Sequence, residues 1–191
     1  MDYLIIYAHP NPKSFNHAIL EEVEKKVRQS GKTYQVRDIY TLTFNPILSA
    51  PDFIAFQNGQ ALPDIKAEQD LIRQAKTLIF IYPIWWFNMP AILKGYIDRV
   101  FSPGFAYSTD KKEGLKGLLT DKQVIILNTT GGPEENYKKF GFDEALKTTI
   151  EVGTFGLCGM TVVLHKYFYA VPTVPPETRV NMLEEIKQLV F

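Results

Sequence analysis

The chain has 191 residues, 46% hydrophobic and 22% charged, with 21 basic and 21 acidic side chains that cancel. That length and composition fit one domain, residues 1–191, able to bury a core without disulfides or structural metal. A neutral chain with no basic tract counts against a nucleic-acid partner, and no apolar run approaches the ~20 residues that insertion into a membrane requires. The single Cys158 has no internal disulfide partner, and Met1-Asp2-Tyr3-Leu4 lacks the charged start of a signal peptide, so the expected location is cytoplasmic.

Residues 3–8, YLIIYA, form a short apolar run expected to be a strand buried on both faces. The loop HPNPKSF follows. Ile19, Val23 and Val27 then repeat at helical spacing, which predicts an amphipathic helix over 15–29 with Ser14 as its N-cap. Residues 33–40 alternate like a second strand. Residues 41–62 show no clean period and are expected to be an insertion loop with a helical turn at 51–57. Asp64 is placed to cap a helix through Ile65, Leu71, Ile72 and Ala75.

TLIFIY at 77–82 is the most strand-like run in the chain. A helix is predicted at 90–101, with Pro90 in its first turn. A fourth strand is predicted at 123–128 and a helix at 143–152. A fifth strand follows at 161–168, then a last helix at 176–190 through Val180, Leu183, Ile186 and Val190. Strands alternate with helices throughout. The fold class expected is therefore α/β: a flavodoxin-like three-layer sandwich on a five-stranded parallel sheet in the order 2-1-3-4-5.

In such a sheet ligands bind outside the carboxyl ends of the strands, where the strand order reverses. Three loops of unusual composition converge there. The first, HPNPKSFN, opens a helix and offers free N–H groups to an anion, with His9, Ser14 and Asn16 as added donors. No dinucleotide fingerprint or P-loop is present. The bland alternative is an ordinary β–α loop.

The second loop, PIWWFNMP, puts Trp85, Trp86 and Phe87 at the end of a buried strand, where a flat ring system can lie. The alternative is that these rings are core or oligomer contacts. In the third, Thr129-Thr130-Gly131-Gly132, glycines let backbone approach a ligand and N–H groups can stabilise negative charge. His17 and His165 carry no functional signal, Cys158 reads as a buried small hydrophobe, and no ligand spacing points to a metal.

Taken together, AHPNPKSFNHAIL, FNPILS, PDIKAEQ, FIYPIWWFNMPAILKGYIDRVFSPGFAY and TTGG resemble the NAD(P)H:quinone reductase family, the DT-diaphorase type. The match runs in order from residue 3 to about residue 132, then more weakly through FGLCGM to PPETR at 175–179. The resemblance implies a tightly bound flavin (FAD, or FMN as the alternative), a homodimer, and two-electron reduction of a quinone-like small molecule by NADPH or NADH. It implies that His9, Ser14, Phe15 and Asn16 meet the flavin's phosphate-bearing tail. The ring would lie along Pro83, Ile84, Trp85, Trp86 and Phe87, against Thr129, Thr130, Gly131 and Gly132. Tyr137 matches a tyrosine at the reactive edge, and Asp98 and Arg179 match residues near the adenine end of FAD. Trp86 and Phe87 would wall the substrate space. Tyr107 would reach the partner's site. One pocket used twice implies ping-pong kinetics.

The sequence departs from the family in three places. Asp143 stands where animal-type members carry a histidine after the tyrosine, the loop before LPDIKAEQ is shorter, and the long C-terminal tail is absent. Three rivals remain at this level: a nitro- or azoreductase on the same scaffold, a regulatory subunit of an ion-efflux system, and a one-electron flavodoxin carrier.

Overall fold

A computed structural model describes residues 1–110, 112 and 114–189. Its main sheet has five parallel strands: β1 (Tyr3–Tyr7), β2 (Tyr34–Asp38), β3 (Thr77–Pro83), β6 (Gln123–Thr129) and β7 (Thr161–Phe168). Their spatial order is β2-β1-β3-β6-β7. In order of appearance within that sheet this is the expected 2-1-3-4-5. A separate antiparallel hairpin, β4 (Tyr107–Asp110) with β5 (Gly114–Gly117), was not expected. Its strands are short and mostly exposed, so no hydrophobic alternation marks them.

Helices cover both faces of the sheet, which is why β1 and β3 are buried at every residue. On one face, α1 (Phe15–Gln29) and α7 (Pro176–Gln188) bury Ile19, Val23, Val27 and Ile186 against Ile5, Ile79, Ile81 and Leu127. On the other, α3 (Pro63–Gln74) and α4 (Ala91–Val100) bury Ile65, Ile72, Leu93 and Tyr96 against Leu4, Ile6, Phe80 and Ile126. Each such aliphatic side chain contributes about 1.5–3 kcal/mol relative to exposure. Val190, expected to continue the last helix, lies outside the described residues.

Several local expectations are corrected. Residues 41–62 hold a full helix, α2 (Ala50–Gln57), and not a loop with one turn. The Ser49 N–H and hydroxyl both donate to Asp52 Oδ2, at 2.9 and 2.7 Å, and close its first turn. Leu62, not Asp64, stands at the N-cap of α3, with Pro63 as first helical residue. Pro90 is the N-cap of α4 and not part of its first turn. The single helix expected at 143–152 is replaced by α5 (Glu134–Phe140), a break at Gly141 with φ 69°, α6 (Phe142–Leu146), and a π-helical segment over Lys147–Gly156. A bulge between β6 and β7 shifts the register at Val124/Ile125 and leaves Val163 as the extra residue.

A buried ionic cluster ties the long crossover to the helices beneath it. Arg99 Nε and Nη2 donate to Asp52 Oδ1 at 2.9 and 2.8 Å. Its Nη1 donates to the Asn45 carbonyl at 2.6 Å and to Asp64 Oδ2 at 2.7 Å. The Asp52 side chain is fully buried and that of Arg99 is 4% exposed. Burial alone would raise the Asp52 carboxyl, but the Arg99 guanidinium and Ser49 outweigh it and hold it below the usual range. A depressed carboxyl adds stability above its unfolded pKa near ~4, and that stability is lost as pH falls through the folded value. Arg99→Leu strands a buried charge and should cost about 3–5 kcal/mol in urea unfolding at pH 7. A loss under ~1 kcal/mol would show that the crossover does not depend on this pair.

Candidate active site

β1 and β3 end side by side where the strand order reverses, and their loops run outward with that of β6. Between them lies a cleft of about 480 Å³. His9, Ser14, Phe15 and Asn16 line one end of it. Pro83, Ile84, Trp85 and Trp86 form one wall, and Thr129, Thr130 and Gly131 face them. Asn11, Val171 and Pro172 complete the lining and were not singled out in the sequence.

The first loop is built as an N-terminal cap. Ser14 Oγ accepts the His17 N–H at 3.1 Å, and the first helical residues, Phe15 and Asn16, line the cleft end, which places the positive end of the helix dipole there. The Asn11 N–H donates to His9 Nδ1 at 3.0 Å, so the ring hydrogen sits on Nε2. Burial pushes the His9 imidazole down, which keeps it a neutral donor at pH 7. Asn16 is buried. Its Nδ2 donates to Thr129 Oγ1 at 2.8 Å, while its Oδ1 has no protein partner.

The second loop is a strained hairpin. Trp85 and Asn88 exchange two backbone hydrogen bonds of 3.0 Å, and the turn residues Trp86 and Phe87 both have positive φ, 49° and 56°. Such mirror-image turns ordinarily take Asn-Gly. Each non-glycine residue there costs about 1–2 kcal/mol. Trp86 is 95% exposed, so its side chain does not repay that cost by burial. Among the described residues, the N–H groups of Trp86, Phe87, Gly131 and Gly132 have no acceptor within the protein.

Tyr137, on α5, and Phe87 flank this cleft. Tyr137 packs against Phe87 (ring centroids 5.8 Å), Tyr169 (5.4 Å) and Phe142 (6.0 Å). A Cβ on Gly132 would stand 3.3 Å from Tyr137 Cε2, so glycine lets the ring lie close over the loop. Burial pushes the Tyr137 phenol up, offset in part by Thr130. Asp143 stands at the position of the family's histidine. Its Oδ1 accepts the Glu144 N–H at 3.0 Å on the surface.

Six expected residues are not among those that line the cleft: Phe87, Gly132 and Tyr137 border it, and Arg179, Asp98 and Tyr107 have other partners. Arg179 Nη1 donates to the carbonyls of Val171 (3.1 Å) and Val174 (2.9 Å), so it clamps the loop that carries Val171 and Pro172. Asp98 pairs with Lys94 and, with Tyr107, lines a separate apolar cavity of about 390 Å³ beside Phe53 and Phe56. Among the described residues, no cluster of three His, Cys, Asp or Glu is placed to hold a metal, and no helix is long and apolar enough to cross a membrane.

A parallel sheet reversing at β1 and β3, with an aromatic hairpin opposite a glycine loop, defines a ligand-binding α/β protein of the flavodoxin-like class. Residues 1–190 match the model of that family, described as having the flavodoxin-like fold. A Haemophilus influenzae protein named "Uncharacterized NAD(P)H oxidoreductase" is 40% identical over 96% of this chain and 91% of its own. NAD(P)H dehydrogenase (quinone) 1 of Cavia porcellus is 33% identical over 94% of this chain and 72% of its own. The solved NAD(P)H:quinone oxidoreductase from Methanothermobacter marburgensis superposes with a TM-score of 0.87 at 27% identity, over 98% of this chain and 94% of that one. The chain belongs to the flavodoxin-like NAD(P)H:quinone oxidoreductase family.

The strain in the aromatic hairpin can be measured. Trp86→Gly removes about 1–2 kcal/mol of left-handed strain at a residue that buries almost nothing, against a glycine entropy cost of about 0.5–1 kcal/mol. Thermal stability should stay level or rise. A fall of more than about 4 °C, worth ~1 kcal/mol in a chain of this size, would show that the Trp86 ring packs after all.

Proposed function

We propose that the protein transfers two electrons from NADPH or NADH to a quinone or similar flat acceptor, with a flavin held in the cleft between β1, β3 and β6. FAD is the first choice and FMN the alternative. The chain acts as one domain and as a homodimer in the cytoplasm, with neither nucleic acid nor membrane insertion. The observation that carries this reading is the pairing of a strained aromatic hairpin with a glycine loop across one cleft, both presenting unused N–H groups. Strain of this kind at a binding surface points to a ligand that the turn is shaped to meet.

The residues present fit the group. An anionic tail suits the α1 N-terminus, where Phe15 and Asn16 N–H groups, Ser14 and the His9 Nε2–H converge. The buried, unpartnered Asn16 Oδ1 offers an acceptor at the same end. A flat ring suits the slot between Trp85–Phe87 and Thr129–Gly132. A flavin bound there would supply the two-electron chemistry that links a nicotinamide donor to a quinone acceptor.

The chain's own groups do the rest. N–H groups of Gly131 and Gly132 stabilise negative charge that develops at the ring edge. Tyr137, kept protonated by burial, donates a hydrogen bond there. Trp86 and Phe87 wall a stacking space open to one flat molecule at a time, which makes the kinetics ping-pong. Arg179 keeps the 170–174 loop closed over the tail end. Asp98 and Tyr107 line a separate cavity and not their own cleft, and we assign them to the partner copy's site, beside the exposed Phe53 and Ile54.

Purified protein should show a flavin absorption band that NADPH bleaches anaerobically and menadione restores, with parallel initial-velocity lines. Absence of the band, with no binding of added FAD or FMN, or intersecting lines, would sink the proposal. Chromatography of the released flavin decides between FAD and FMN. Tyr137→Phe should lower kcat about tenfold, the worth of one hydrogen bond. Because the phenol is shifted upward, wild-type kcat should show no break from Tyr137 below pH ~10. A break near neutrality that disappears in the phenylalanine variant would assign Tyr137 an ionised role instead.

A further inference from the structure

Three polar side chains, Asn128, His165 and Glu151, form a bonded chain that starts one residue before the cleft and take no part in lining it. Asn128 precedes Thr129 on β6 and pairs in register with Tyr82, which precedes Pro83 on β3. Its Nδ2 donates to the Tyr82 carbonyl at 3.0 Å. Its Oδ1 lies 2.8 Å from His165 Nε2, and His165 Nδ1 lies 2.9 Å from Glu151 Oε1. The His165 side chain is 5% exposed. Asn128 is fully buried.

The donor inventory leaves one arrangement. The Tyr82 carbonyl only accepts, so Asn128 must turn its NH2 toward it and its oxygen toward His165. That oxygen also only accepts, so His165 must carry its hydrogen on Nε2. One proton then lies between Nδ1 and the Glu151 carboxyl. Burial pushes the imidazole down and Glu151 opposes it. The two structural irregularities of this region serve that geometry. The bulge at Val163 brings His165 opposite Ile126, on the sheet face that carries Tyr82. The π-helical segment carries Glu151 to the other ring nitrogen.

We propose that Glu151, His165 and Asn128 form a positioning relay that holds the ends of β3 and β6 at the separation the cleft requires. The relay locks the Asn128 amide, and the amide bonds the β3 backbone one residue before it leaves the sheet. The inference rests on the flavin reading of the cleft. His165 and Glu151 are positioning residues and touch no reactant.

The test combines a structural and a functional readout. In 15N NMR of the uniformly labelled protein, His165 should show a protonated Nε2 at pH 7 in the wild type and in Glu151→Gln, whose amide can donate to Nδ1. An unprotonated Nε2 would overturn the relay. Asn128→Asp sets an oxygen against the Tyr82 carbonyl, and His165→Leu frees the amide. Each should weaken flavin binding and lower kcat per bound flavin by about tenfold to a hundredfold, as small misplacements in active sites do. His165→Gln, which can still donate to Asn128, should recover most of both. If the folded leucine and aspartate variants keep wild-type flavin affinity and kcat, the relay is structural only and the proposal is wrong. If His165→Leu does not fold, Asn128→Asp and His165→Gln decide by the same criteria. A wild-type protein that binds no flavin would instead sink the proposed function, a separate result.

Discussion

The Ile84 N–H reaches the Thr129 carbonyl at 2.8 Å and makes the last rung between β3 and β6. Up to that rung the two strands are locked in register, residue against residue, from Thr77 with Gln123 to Pro83 with Thr129. Beyond it they separate. β3 turns into the Trp85–Asn88 hairpin, and β6 into the Thr130–Gly132 loop. The width and floor of the cleft follow from where that ladder stops. It can run so far because both faces of β3 are buried, which leaves its backbone no water to bond and makes the ladder obligatory.

The departures from regular geometry gather at this edge. Trp86, Phe87 and Ala170 are the described non-glycine residues with positive φ, and all three lie in segments that border the cleft. Ala170 turns the chain after β7 so that its N–H meets the Gly132 carbonyl at 2.9 Å and the next N–H meets Thr130 O at 3.0 Å. The β6 loop is thereby bonded from both sides while its glycine N–H groups stay free. A rigid rim around unused donors suits a preformed site better than one assembled by folding around a ligand.

Much of this was legible in the chain because it depends on local rules. The apolar runs 3–8 and 77–82 became the two fully buried strands, and Ser14 became the cap of α1, since an N-cap needs only its own helix turn. The convergence of the loops containing His9, Trp85 and Thr129 followed from strand order. Other features were not legible. Trp-Phe carries no turn signal, so the left-handed hairpin could not be read from its residues. Asp64 looked like a cap because its long-range partner, Arg99, was invisible. Val171 and Pro172 had no motif, and their only signal was their place just after the last strand.

The sequence by itself determined the alternation of strands and helices, the buried parallel sheet, and the three loops that share its carboxyl edge. Each of these is set by hydrophobic period and by neighbours a few residues apart. Only the tertiary structure decided which side chains meet. His165 is the clearest case. One bulged residue at Val163 reverses the face that the rest of β7 presents, and so carries this histidine from one side of the sheet to the side where Asn128 and Glu151 wait. A side-chain period of two makes a single-residue shift decisive, and nothing within the strand announces where the shift falls. The separate cavity of Asp98 and Tyr107 has the same origin. It was set by how α2 and α4 pack, held by Arg99, and not by any spacing in the chain.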